Sequence, residues 1–339
     1  NCTEQLKKRS INPEDVIVDY TGGTKTMTAA LTLATIGQGY NFSYVGGKER
    51  TKDGLGIVVT GTEVVKTGVN PWQIYAVEEK KKISIFSESF QYEAAISIME
   101  SRINNLKAPD QKLWQGIMET FKGYLFWDNF NHKLAIKNLK EGLNILLDCE
   151  KLGIATKEIS NYIEGVRNNY EILTDMSKKT EYFKNMHPIL TVDLFSNAHR
   201  RAKQNKYDDA VARLYRTLEM VGQIAFKEKT GCSTSDVNPD ILPETIREEY
   251  INRYRSPDDG KIRIPLLSTF RALKELNHPT GQKFFEKEEE LKKILNARNN
   301  SILAHGLNPI KKETYEKLRG IIKDLFISGE MIEFPVLQW

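Results

Sequence analysis

Cysteine is scarce. Cys2, Cys149 and Cys232 are widely scattered over 339 residues, and no Cys-x-x-Cys pair occurs. That spacing argues against a zinc site or a disulfide framework and fits a reducing cytoplasm. Long apolar runs are missing as well. None approaches the roughly 18 residues that a membrane span needs, and no signal peptide is visible, so no membrane partner is expected. Charge of one sign is not in excess. The 49 Lys and Arg face 45 Asp and Glu, a net of +4, so no long basic tail carries nucleic-acid binding. A helix-turn-helix or basic recognition helix is not recognisable, which weakens a DNA-binding regulator. The chain also starts at Asn1 without a methionine, as a fragment would. Its 339 residues still suggest two or three domains with sizeable cores.

The first segment reads as α/β. Val16-Ile17-Val18 is a short strand between Pro13 and the Gly22-Gly23 turn. Residues 26–36 then read as a helix with Met27, Ala30, Leu31 and Ala34 on one side, and residues 40–45 as a second strand. Strand, glycine turn, helix and strand make a βαβ unit and so part of a parallel sheet. Residues 57–65, 74–77 and 83–86 are further strand candidates. The turn exposes backbone N–H groups at a helix N-terminus, which suits phosphates; Thr21, Thr24 and Thr26 add hydroxyls, and Lys25 adds charge. It is not a Walker A loop, because Thr24 stands where the glycine before lysine belongs, and it lacks a G-x-G-x-x-G. On these residues alone, an ordinary βα turn remains open. So does a plain solvated loop for Lys48, Arg50 and Lys52.

From about residue 90 to 183 the apolar residues fall at helical spacing, as in Trp114, Ile117, Met118, Phe121, Leu125 and again in Leu134, Ile136, Leu139, Leu143, Leu146. No clean repeat period emerges. Trp127 and Phe130 read as core, and His132 as a surface or hairpin residue. The last segment starts near His187-Pro188 with helices over 189–205 and 207–229. In the second, Arg213, Arg216 and Glu219 lie off the apolar stripe, which reads as an ion-pair ladder on a solvated face and leaves a catalytic supporting role as the alternative. His199, followed by Arg200 and Arg201, is a weaker RNA-contact candidate whose plainer reading is surface, and residues 253–265 read as a charged, mobile loop. Helices over 264–276 and 314–328 follow, and Phe334-Pro335-Val336-Leu337 closes the chain as an apolar tail.

The anomaly lies at Ala297-Arg298-Asn299-Asn300-Ser301-Ile302-Leu303-Ala304-His305-Gly306. Leu291, Ile294, Leu295, Ile302 and Leu303 set an apolar helical stripe, and Arg298 and His305 fall on it. Seven helical residues turn through about 700° and rise roughly 10 Å, so one continuous helix would put both on one face. Cationic groups on a packing face need partners or a task. A capped helix end at Gly306 with a satisfied pair is one answer. The other is phosphoryl transfer on RNA, with histidine as proton carrier and arginine as cation for the charge building on phosphorus.

Arg298-Asn299 followed by His305 and Gly306 resembles the arginine–spacer–histidine signature of HEPN ribonucleases. Residues 207–219, Tyr207-Asp208-Asp209 through Glu219, are similar to the helix that opens that region in CRISPR-associated proteins. Asp19-Tyr20-Thr21-Gly22-Gly23-Thr24-Lys25-Thr26-Met27 resembles the ligand-binding turn of CARF domains. Together they resemble the type III CRISPR ancillary CARF–HEPN ribonucleases. The resemblance implies an α/β, Rossmann-like CARF domain over 1–88, truncated at its N-terminus, an all-α helical spacer over 89–185 and an all-α HEPN domain over 186–339. It further implies a cytoplasmic homodimer cutting single-stranded RNA with Arg298, His305 and Asn299, without metal or cofactor. Cyclic tetra- or hexa-adenylate, held by Thr21, Gly22, Gly23, Thr24, Lys25 and Thr26, would be the allosteric activator. A non-catalytic sensor or adaptor, and a ribonuclease toxin indifferent to cyclic nucleotides, stay open.

Overall fold

The computed structural model describes residues 2–35, 38–51, 57–67, 76–106, 108–303 and 306–339. Helix α1 (Cys2–Lys8) leads into β1 (Ile17–Asp19), α2 (Lys25–Thr35), β2 (Asn41–Gly47) and β3 (Glu63–Thr67). The crossover through α2 makes β1 and β2 parallel, in register Ile17↔Asn41 and Asp19↔Ser43, and β3 adds antiparallel to β2. The core under this sheet is small: Val18, Tyr40 and Phe42, with Leu6, Val16 and Tyr20 against them. Helix α2 buries no residue, and its Met27 and Leu33 are 63% and 77% exposed.

Helices take over with α3 (Val77–Glu88). The strand expected at 83–86 is therefore helical. Ile83 and Ser87, four apart, are buried while Ile85 faces out, which is the 3.6-residue period rather than alternation. Of the 74–77 candidate, Val77 opens this helix, and Ile74 and Tyr75 lie outside the described residues, as do Ile36 and Lys52.

Next come α4 (Tyr92–Arg102), α5 (Ala108–Asp128), α6 (His132–Lys151) and α7 (Lys157–Lys179) around one core that includes Trp114, Phe121, Tyr124 and Trp127. A second core belongs to α8 (Pro188–Lys203), α9 (Tyr207–Thr230), α10 (Glu244–Tyr254), α11 (Leu266–Glu275), α12 (Pro279–Glu286), α13 (Glu288–Asn299) and α14 (Lys312–Phe326). The architecture is thus α/β followed by two helical blocks.

Polar groups stitch the blocks together. The Asp193 carboxylate on α8 meets Trp127 Nε1 at 2.9 Å and His132 Nε2 at 2.8 Å, both from the first block. His132 is accordingly buried rather than a surface residue. His199 is likewise drawn in. Its Nδ1 lies 3.2 Å from the Tyr315 hydroxyl, and burial, with Arg319 and Lys203 beside it, lowers its pKa to about 4. Arg200 is buried against Asp128, so neither residue is free to meet RNA. The terminal tail crosses back to the first block: Leu337 is fully buried, and its N–H donates to Ser87 Oγ on α3.

Candidate functional site

Helix α13 forms because three glutamates, Glu288 to Glu290, occupy its positive N-terminal end while Leu291, Ile294 and Leu295 pack inward. It does not run on to residue 305. It stops at Asn299, and Asn300 caps it with φ −88° and ψ 7°. Asn299-Asn300-Ser301 is a run of side chains that compete with the backbone for hydrogen bonds, which favours ending a helix. Ser301 N–H donates to the Arg298 carbonyl at 3.0 Å, and Ser301 pairs with Asn308 in an isolated bridge. Ile302 and Leu303 are 63% and 54% exposed, so the apolar stripe ends at Leu295. Helical spacing therefore does not relate Arg298 to His305, which with Ala304 lies outside the described residues.

Arg298 sits in the last turn of α13. Its guanidinium lies 4.4 Å above the Tyr215 ring of α9, and its Nη1 donates to Asn299 Oδ1 at 3.2 Å. No carboxylate pairs with it among the described residues. The structure thus brings Arg298, Asn299 and Tyr215 together. Burial, with Glu219 next in effect, pushes the Tyr215 phenol up. Sequence reasoning missed Tyr215, although it lies inside the 207–219 motif. The usable signal was its position one residue off the Leu214–Leu218 stripe, on the flank of the packing face.

The segment after Arg298 is anchored at both ends. Ile310 N–H donates to both oxygens of Asp208, at 3.2 Å each, at the start of α9. Gly306 N–H donates back to the Ser301 carbonyl at 3.1 Å. Gly306 does not cap α13, which ends at Asn299 with Asn300 as its cap. It is needed for space, since a Cβ there would stand 2.0 Å from the Asn300 carbonyl oxygen. Gly306→Ala must displace the backbone beside Arg298. We expect the RNA cleavage that the resemblance implies to fall at least about 10-fold, because a shift of about 1 Å at a reacting group has that order of cost or more. Side-by-side rate and melting curves check this.

The remaining α9 charges divide. Arg216 pairs with Glu219 at 3.3 Å and with Gln223, as an exposed ladder would. Arg213 does not belong to that ladder. It is largely buried between Asp209 and Asn197, and desolvation with Arg201 nearby lowers its pKa to about 10. Residues 253–265, expected to be a mobile loop, finish α10 and then fold as a hairpin, with Arg255 bridged to Ile262 and Arg263 on Asp259 at 3.1 Å.

At the N-terminal turn, Thr21 Oγ1 accepts from Val45 N–H at 2.7 Å, and Thr24 Oγ1 accepts from Met27 N–H at 3.3 Å to cap α2. Gly23 takes φ +98°, a left-handed conformation open to glycine. Gly22, Lys25 and Thr26 are exposed at the start of α2. Asp19 closes the base of the turn. Its carboxylate accepts from Ser43 Oγ at 2.6 Å and from Thr21 N–H at 3.0 Å, and these bonds hold its pKa below the usual carboxylate value. The three cysteines are free thiols. Among the described residues no helix is long and apolar enough to cross a membrane.

Two family models match the chain. The Csm6 6H domain matches residues 75–187, and the Csm6 HEPN domain matches residues 179–328, which include Arg298, Asn299 and Tyr215. No curated protein matches it.

Proposed function

Because this chain belongs to the type III CRISPR-associated Csm6-like CARF–HEPN family, whose HEPN domain carries ribonuclease activity, we propose that it cuts single-stranded RNA without metal, under cyclic-oligoadenylate control. The observation that supports this most is Arg298. A guanidinium held over Tyr215, at an accessible helix end, with no neutralising carboxylate among the described residues, is a cation awaiting an anion. A phosphodiester supplies one.

In this reading the ribose 2′-oxygen attacks the adjacent phosphorus and gives its proton to His305. The bond from phosphorus to the 5′-oxygen breaks, and that oxygen takes the proton back from His305 as it leaves. The products are a 2′,3′-cyclic phosphate and a 5′-hydroxyl end. The nucleophile comes from the substrate itself, so no metal hydroxide is required. Arg298 stabilises the charge on the pentavalent phosphorus, and Asn299 holds Arg298 in line. Two protomers about a two-fold axis would set each arginine beside the other's histidine. Thr21, Gly22, Gly23, Thr24, Lys25 and Thr26 would hold cyclic tetra- or hexa-adenylate, and the ring acts only by binding the active arrangement more tightly than the resting one.

A fluorogenic RNA assay tests this, run in EDTA with and without each ring. We expect cleavage to persist in EDTA and to accelerate with one ring. Equal rates with and without either ring remove the regulatory half. Activity lost in EDTA and restored by magnesium removes the metal-free step.

A further inference from the structure

Beside Arg298 lies a cleft of about 520 Å³ between α9, α10, α11, α12 and α13, within the size range of small-ligand sites. It is continuous with the arginine: Tyr215, under the guanidinium, and Asn299, bonded to it, both line the cleft. Two further rings, Tyr254 and Phe285, are half-buried in its wall. Its rim carries Arg253, Arg271 and Lys292 against Glu249 and Glu288. One carboxylate serves both arginines, Glu249 lying 3.0 Å from Arg271 and 3.9 Å from Arg253, while Lys292 has Glu288 at 2.5 Å. Three cations against two anions, plus Arg298, leave the cleft positive.

We propose that this cleft is the subsite that grips the nucleotide next to the cut, with aromatic walls for its base and the Arg253–Lys292 rim for the two flanking phosphates, one to each cation. The proposal rests on the ribonuclease reading and deepens it. Exposed ion pairs hold their partners weakly, so a phosphate can displace Glu249 or Glu288 from the rim. Flat aromatic faces take any base by stacking, and a cationic rim tracks the backbone, which is the combination single-stranded RNA uses. The Tyr254 hydroxyl lies 2.6 Å from Ser268 Oγ, so its polar end is already bonded within the protein and the ring face is what it offers a base. Arg253 lies over the same ring, 5.5 Å from its centroid, and can join a stack.

The test uses the full chain and labelled single-stranded RNA. Arg253→Ala/Lys292→Ala removes two exposed charges without touching the core. It should raise KM about 10-fold with kcat nearly unchanged, and lower the salt slope of binding by about 1.4, as loss of two phosphate contacts to a single strand requires. Tyr254→Leu should weaken binding about 10-fold or more through lost stacking, whereas Tyr254→Phe should bind as wild type. Lys137→Ala/Lys140→Ala, on the exposed face of α6, is the charge-matched control. Normal KM in the rim variant, or an equal rise in the α6 control, overturns the subsite while the wild type still cuts RNA. Failure of the wild type to cut or bind RNA at all overturns the underlying reading, and the subsite with it.

Discussion

Arg298→Ala and His305→Ala should each lower RNA cleavage by about three orders of magnitude, the scale of one lost transition-state donor or one lost general acid–base group. Arg298→Ala should not move the melting temperature much, since among the described residues its guanidinium meets Tyr215 and Asn299 at the end of α13 and no carboxylate. Arg298→Lys should recover little, because a point ammonium cannot reproduce the planar guanidinium that stacks on Tyr215 and spans two phosphate oxygens. Heterodimers pairing an Arg298→Ala subunit with a His305→Ala subunit give the sharper result. If each cut takes its arginine from one protomer and its histidine from the other, one of the two sites stays whole, and purified heterodimers should regain about half the activity. If both groups act from the same chain, the heterodimers stay dead. A wild-type rate for either single variant would end the HEPN reading of this pair altogether.

The βαβ start was legible because a β-branched run, a double glycine and a helical stripe are local signals, and β1, α2 and β2 follow in that order. The short run at 83–86 misled, since four residues, three of them apolar, do not separate period two from period 3.6 until the burial of Ile83 and Ser87 is known. The end of α13 misled for a different reason. Ile302 and Leu303 continue the apolar spacing on paper, yet Asn299, Asn300 and Ser301 stop the helix before it reaches them. The resemblance pointed to Arg298, Asn299 and His305; Arg298 lies over the Tyr215 ring and bonds to Asn299, while His305 lies outside the described residues. What stayed hidden were the long-range polar partners. His132 with Asp193, Arg213 with Asn197, and Ile310 with Asp208 are 61, 16 and 102 residues apart, and no period or motif announces a buried pair.

Asp128→Ala should cost about 3–5 kcal/mol, the usual penalty for removing one partner of a buried ion pair, and lower the melting temperature by about 10 °C. Its side chain, 4% exposed, closes the end of α5 against α8 and is shared by three donors. Oδ1 accepts from Arg200 Nε at 2.8 Å and from Asn197 Nδ2 at 2.7 Å, and Oδ2 pairs with Arg201 Nη2 at 2.8 Å. Without Asp128, the buried Arg200 keeps the Ile332 carbonyl at 3.1 Å and the Phe334 ring 3.8 Å from its guanidinium, but no opposite charge. Desolvation of that cation, not the lost hydrogen bonds, dominates the cost. The control follows from the same physics: Asp128→Ala/Arg200→Met removes both charges and fills the space with apolar atoms, and it should recover most of the loss. Thermal denaturation followed by the buried Trp127, adjacent to Asp128 in α5, reads both variants directly. If Asp128→Ala melts within about 2 °C of wild type, the joint between the two helical blocks is not held by this carboxylate, and packing of the Phe334 tail holds it instead.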